Sequence, residues 1–307
     1  MSKISIIGAG NVGATAAQKI ACLDVCDEIV LLDIKPGIAE GKAIDISQSG
    51  VIERFRTKVT GVTNNYEATT NSNIIVITSG IPRKPGMTRE ELVEVNSKVM
   101  KSVLSETSKY SPNAIYIIVS NPMDTMTYFA YKYLNISPNK VIGMGGMLDS
   151  SRFCYYIAEK LGVPSSEIYA GVIGGHSDTG MVPLISCSYY NDTPVTNLLT
   201  KEDVEEVVHK TMIGGATLTN LIGTSAWEAP ATAIADLVKA LSSEEPSSTI
   251  CSVYREEYDV CVGSTVEISC NGVNQIFSIE NNVSPIEKDK FLESIESIRK
   301  VNKMLSL

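Results

Sequence analysis

Residues 3–13 read KISIIGAGNVG, and Glu28–Asp33 reads EIVLLD. The opening run is rich in Ile without polar alternation, which suits a strand covered on both faces. It passes straight into Gly8, Gly10 and Gly13, spaced G-x-G-x-x-G, and a helical pattern begins at once. Gly8 permits a tight turn, Gly10 removes a side chain where a phosphate must approach the backbone, and Gly13 lets helix pack closely on strand. Free N–H groups at the helix start, around Asn11 and Val12, then face the phosphates. Asp33 ends the second strand, about 20 residues after Gly13. Its carboxylate suits a ribose diol and repels a 2′-phosphate. This order of strand, glycine loop, helix, strand and acid predicts a dinucleotide site that favours NAD over NADP.

Working outward, 73–78 (NIIVIT) and 114–119 (AIYIIV) are two more strand-like runs. Between them, Leu92, Val95, Val99, Met100, Val103 and Leu104 recur at helical spacing across Arg89–Tyr110. Strands alternating with helices predict an α/β fold, a Rossmann doubly wound parallel sheet with right-handed crossovers. The pattern changes near residue 145. There 147–161 and 201–241 read as mainly helical, with strands at 168–173, 181–186, 250–254, 264–269 and 275–279. Asn271-Gly272 marks a hairpin turn. Phe291, Ile295, Ile298, Val301 and Leu305 form the apolar stripe of a closing helix. The expected organisation is a dinucleotide-binding domain over 1–144 and an α+β substrate-binding, catalytic domain over 145–307.

Composition narrows the function. Lys plus Arg number 26 against 35 Asp plus Glu, a net charge of −9, which argues against nucleic-acid binding and a polybasic membrane anchor. No apolar run approaches the roughly 20 residues that span a bilayer, and the N-terminus lacks a cleavable leader pattern. A cytoplasmic location is the expectation. The seven cysteines are an odd, scattered set, so no disulfide framework is expected, and Cys22 and Cys26 read as core residues. With only two histidines, no metal site is expected.

Residues 80–89 (GIPRKPGMTR) follow the third strand run, at the sheet edge where open α/β folds bind ligands. A basic loop punctuated by Gly and Pro in an acidic protein reads either as a solvated loop or as a lid that carries guanidinium groups to an anion. His176, after Gly174-Gly175, has an unperturbed pKa near 6.5 and suits proton transfer near neutral pH. His209, within EDVEEVVHK, reads as a helix-surface residue.

The glycine loop, IPRKPGMTREEL, VSNP (119–122), LDSSRF (148–153), GGHSD (174–178) and CNGV (270–273) occur in the order of the lactate/malate dehydrogenase family, which the chain resembles from end to end. The IPRKPGMTR form is similar to the malate-specific members of its lactate-dehydrogenase-like branch. The resemblance implies reversible NAD-dependent hydride transfer between malate and oxaloacetate, in the tricarboxylic acid cycle, by a homo-oligomer, a tetramer rather than a dimer. It implies that Arg152 pairs with the substrate C1 carboxylate, Arg89 polarises the reacting carbonyl, and Arg83 holds the distal carboxylate. Asn121 positions substrate and nicotinamide, His176 exchanges the proton, and Asp149 orients His176. Asp149 and Arg152, three apart on a helix, share a face.

The chain departs from the family pattern in two places. Ser177 follows the histidine where glycine is usual, and Gly180 lengthens the approach to Met181-Val182-Pro183, which suggests a β-bulge. TSAWEAP (224–230), with Trp227 and Glu228, replaces a segment richer in tyrosine. Two rival readings stand: a dehydrogenase of lactate or another 2-hydroxy acid, and a non-catalytic dinucleotide-binding redox sensor. The latter has no need of His176, Asp149, Arg89 or Arg152.

Overall fold

The computed structural model describes residues 2–82 and 86–306. Six parallel strands form the first half: β1 (Lys3–Ile7), β2 (Glu28–Asp33), β3 (Lys58–Thr63), β4 (Ile74–Ile77), β5 (Ile115–Ile118) and β6 (Val141–Gly143). Their spatial order is β3-β2-β1-β4-β5-β6, so the chain reverses direction across the sheet between β1 and β4. Helices α1 (Asn11–Leu23), α2 (Ile38–Glu53), α3 (Arg89–Tyr110) and α4 (Met123–Leu134) connect the strands.

The strand runs lack polar alternation because both faces are buried. Ile4, Ile6, Ile29, Leu31, Ile74 and Val76 point to one core, with α1 and α2. Their neighbours Ile7, Leu32, Ile75 and Ile77 point to the other, with α3 and α4. Each such side chain, removed from water, favours the fold by about 1.5–3 kcal/mol.

The second half comprises α5 (Gly146–Leu161), β7 (Ile168–Tyr169), β8 (Val172–Gly174), β9 (Met181–Pro183), β10 (Tyr189–Tyr190) and β11 (Thr193–Pro194). Then follow α6 (Lys201–Ile222), α7 (Glu228–Leu241), β12 (Ser247–Arg255), β13 (Val260–Ser269), β14 (Gly272–Phe277) and α8 (Pro285–Asn302). The two halves share one sheet, since Ser252 of β12 pairs antiparallel with Gly143 of β6, and the order continues β12-β13-β8-β9 with β14 on β13. Helix α7 buries Ala231, Ile234, Leu237 and Val238 in the same core as β1 and α1.

Several local expectations are corrected. The 168–173 run splits into β7 and β8 around Ala170-Gly171, and 181–186 stops as a strand at Pro183 before a 3-10 turn. The β13–β14 hairpin pairs Ser269 with Gly272, so its two loop residues are Cys270 and Asn271 rather than Asn271 and Gly272. Gly272 is the first strand residue, at φ +93°, and a Cβ there would sit 2.2 Å from the Asn139 carbonyl oxygen. A tertiary contact therefore requires that glycine. Gly180 makes no bulge: β8 and β9 pair in unbroken register from Val172–Pro183 to Gly174–Met181, which places the extra residue in the connecting loop. Cys26 is buried as expected, whereas Cys22 is exposed because it lies on the solvent side of α1. Among the described residues, no helix is long and apolar enough to cross a membrane.

Candidate active site

The reversal between β1 and β4 falls at the C-terminal strand edge, the place where doubly wound sheets take their ligands. Gly8 leaves β1 at φ +114°. A Cβ on Gly13 would lie 1.9 Å from the Gly8 carbonyl oxygen, so strand and helix approach each other only with glycine there. Gly10 has no atom within 4 Å of its Cβ position and caps α1 without a side chain. The first helical bond runs from Ala14 N–H to Gly10 O. The amides of Asn11, Val12 and Gly13 thus precede the ladder as anion donors. Asp33 closes the cradle: Oδ2 accepts from Ala9 N at 2.8 Å and Oδ1 from Lys35 N at 2.9 Å, each oxygen keeping acceptor capacity. At the end of β4 the buried Ser79 Oγ has no hydrogen-bond partner. Open space at Gly10, unclaimed amides, a fixed carboxylate and an orphaned hydroxyl fit a dinucleotide.

Two substitutions separate scaffold from cradle. Gly10→Ala meets open space, so melting temperature stays near wild type while NADH affinity falls. Gly13→Ala overpacks a filled contact, costing about 1–3 kcal/mol, and lowers both. Fluorescence titration of NADH together with thermal melts reads the two effects.

Across the sheet edge, α5 presents Asp149 and Arg152 from one face, and the β8–β9 loop presents His176. Asp149 is 2% exposed, with Oδ2 2.7 Å from His176 Nδ1 and Oδ1 3.0 Å from Arg152 Nη1. Burial alone lowers the imidazole pKa. The Asp149 charge and hydrogen bond, aided by Asp124, outweigh burial and Arg152, leaving His176 above its ordinary 6.5. Nδ1 occupied by a carboxylate leaves Nε2 as the nitrogen for proton exchange. Arg152 lies against α6, where Gly214 and Gly215 replace side chains that would stand 3.3 Å from its Cδ and 3.7 Å from its Nη1. Its buried Nε has no partner, which fits a carboxylate ligand.

The other expected residues are placed differently. Arg89 is the first residue of α3, exposed, behind a Thr88–Glu91 capping box, and no hydrogen bond or ion pair joins it to Asp149, Arg152 or His176. Asn121 is exposed beside a cis Asn121-Pro122 bond. Arg83 lies outside the described residues. His209 is exposed on α6. In 224–230, Trp227 is half-buried at the start of α7, and Glu228 pairs with Lys19 of α1 at 3.6 Å.

Two residues at the site were not anticipated. Asn96, on the apolar side of α3 and 2% exposed, accepts from Ile81 N through Oδ1 at 2.8 Å and donates through Nδ2 to the Ile81 and Asn121 carbonyls. It couples the start of the basic loop to Asn121. A lone amide among Leu92, Val93 and Met100 was its signal. Asp124, in the first turn of α4, is 6% exposed and accepts from His176 N at 2.7 Å. A carboxylate in a helix otherwise buried in that turn was the cue.

A dinucleotide cradle in the first half and a carboxylate-held imidazole in the second fit an NAD-linked dehydrogenase. Residues 2–143 match the lactate/malate dehydrogenase NAD binding domain, and 146–305 match the alpha/beta C-terminal domain of the same family. The chain belongs to the lactate/malate dehydrogenase family. It is 50% identical to the malate dehydrogenase of Parabacteroides distasonis over 309 residues, covering 99% of this chain and 98% of that one. The Cryptosporidium parvum malate dehydrogenase structure superposes with TM-score 0.93 at 36% identity, covering 98% of each chain. The lactate dehydrogenase of the same organism, complexed with lactic acid and NAD, also gives 0.93, at 34% identity, covering 98% of this chain and 97% of that one.

Proposed function

We propose that this chain is an NAD-dependent malate dehydrogenase that interconverts malate and oxaloacetate. The observation that carries the reading is Asp149, which touches His176 at 2.7 Å and Arg152 at 3.0 Å from one buried carboxylate. An imidazole and a guanidinium held by one carboxylate support the roles of proton donor and carboxylate clamp for His176 and Arg152. NAD, when bound, supplies the hydride chemistry. In the direction of reduction, Arg152 grips the substrate C1 carboxylate and turns the ketone oxygen toward His176 Nε2. As the carbonyl carbon gains hydride, the oxygen takes the Nε2 proton, and Asp149 stabilises the imidazolium that precedes the transfer. Arg89 polarises the carbonyl from the loop side, and Asn121 positions substrate and nicotinamide. Gly8, Gly10, Asn11, Val12, Gly13 and Asp33 hold the dinucleotide. In oxidation the same proton returns to neutral His176.

Arg83 gives the preference for a dicarboxylate, since pyruvate presents a methyl group where oxaloacetate presents a carboxylate. An unpaired partner in a desolvated charge pair costs about 2–5 kcal/mol. Arg83→Gln therefore collapses the oxaloacetate-over-pyruvate ratio of kcat/KM, and an unchanged ratio removes Arg83 from selectivity.

The domain boundary in this reading falls at 144–145, between β6 and α5. Self-association is supported by apolar Ile44, Val51 and Ile52 exposed on α2, and its tetrameric form follows from the family resemblance alone. A cytoplasmic place in the tricarboxylic acid cycle completes the proposal, and 50% identity to a bacterial malate dehydrogenase supports it.

A further inference from the structure

We propose that Asp124 is a positioning residue for proton transfer: its carboxylate anchors the backbone of His176 and sets a second negative charge beside the imidazolium. The inference rests on His176 as the proton donor and extends it. Asp149 holds the ring at Nδ1, but nothing in that contact fixes the loop that carries the ring. Asp124 does so from α4, with Oδ2 accepting from His176 N at 2.7 Å and Oδ1 accepting from Ser252 Oγ at 2.7 Å. Ser252 is fully buried on β12, at the strand position that joins the two halves of the sheet. The carboxylate thus ties the catalytic loop to the buried strand that joins the two halves of the sheet. On the other side of the loop, Ser294 of α8 accepts from Gly175 N and donates to Gly180 O, each at 2.8 Å. Those are neutral bonds, and Asp124 contributes the only charge at the loop backbone among the described hydrogen bonds.

A charge 6% exposed costs more than a neutral anchor would, and burial pushes the Asp124 pKa up to about 6, against the hydrogen bonds from Ser252 and His176. A neutral asparagine would serve as well for anchoring alone. The charge has a further effect, because it favours protonated His176, as Asp149 does and Arg152 opposes. Asp149 in turn disfavours the charge on Asp124, and Cys261 of β13 feels the Asp124 charge too, its thiol held well above its ordinary range mainly by burial. The charges on Asp124 and His176 therefore favour one another, and the pH limb of turnover depends on both groups.

The test is the pH profile of kcat/KM in both directions for wild type and Asp124→Asn, with NADH titration as a fold and cofactor control. Removing the charge lowers the pKa of His176. The acid limb of malate oxidation and the alkaline limb of oxaloacetate reduction then both move to lower pH, by about half a unit for a partly screened charge. Limbs that stay at the wild-type pH overturn the proposal, whatever the change in kcat. If Asp124→Asn fails to fold or turn over, Ser252→Ala decides. It removes a donor to the charged carboxylate, makes Asp124 easier to neutralise, and shifts the limbs the same way by less. An unshifted Ser252→Ala profile overturns the proposal in that case. If His176→Asn retains wild-type turnover, the reading of His176 has failed, which is a separate outcome.

Discussion

Replacing His176 with asparagine lowers turnover about 10²–10⁴-fold in both directions, the range that a positioned general acid–base contributes. Asparagine fills similar space and still offers a hydrogen bond toward Asp149, but it cannot exchange a proton. Asp149 keeps its bond to Arg152 at 3.0 Å, so the substitution leaves no buried carboxylate without a partner and the fold persists. NADH binding persists as well, because the Gly8–Gly13 cradle and Asp33 belong to other elements. The sign of the wild-type pH dependence follows from the raised imidazole pKa. Reduction of oxaloacetate requires protonated His176, so kcat/KM falls as pH rises through a value above 6.5. Oxidation of malate requires the neutral ring and rises over the same interval. The Asp149–His176 pair also stabilises the fold fully below the unfolded imidazole pKa, and that contribution is lost as pH rises through the folded one. Steady-state rates from pH 5 to 9, roughly the range over which histidine titrates, check both limbs.

Under the role proposed for Arg152, Arg152→Met removes the substrate clamp together with the cationic partner of Asp149. Loss of a bidentate partner to a carboxylate costs about 2–5 kcal/mol, or roughly 30- to 5,000-fold in kcat/KM for oxaloacetate. The side chain is 13% exposed, so little water replaces the lost charge. Arg152→Lys separates the two losses. Lysine retains a positive charge for Asp149 and restores much of the stability, but it lacks the planar fork, and α6 leaves at Gly214-Gly215 a space shaped for guanidinium. Its kcat/KM stays well below wild type while its melting temperature returns toward it. Equal recovery of both would assign Arg152 to the scaffold alone.

The sequence was most legible where one local pattern carried one physical requirement. G-x-G-x-x-G between a strand and a helix predicted the cradle, because close approach and φ > 0 at Gly8 are properties of a few consecutive residues. The doubly buried β1, β2, β4 and β5 declared themselves through Ile and Val runs, whereas the three-residue β6 was too short to do so. Lys58–Thr63 did not, since KVTGVT lies at the sheet edge and mixes polar residues into the pattern. Its Gly61 is required by α2, where a Cβ would fall 2.1 Å from the Ala39 carbonyl oxygen. His176, Asp149 and Arg152 were located by resemblance to a family, and the structure brings these three into contact. Asp124 and Asn96 escaped because their partners, main-chain groups and the Ser252 hydroxyl, are distant in sequence and leave no spacing to read. The same is true of Gly272, whose glycine answers to Asn139 rather than to its own turn.

The most direct test of the account is the initial rate of NADH and NADPH oxidation by the wild-type protein with oxaloacetate and with pyruvate. NADH with oxaloacetate is expected to be far faster than any other pairing, through the proposed pairing of Arg83 with a second carboxylate and the Asp33 carboxylate at the ribose. A higher kcat/KM for pyruvate than for oxaloacetate, or oxidation of NADPH alone, would contradict it.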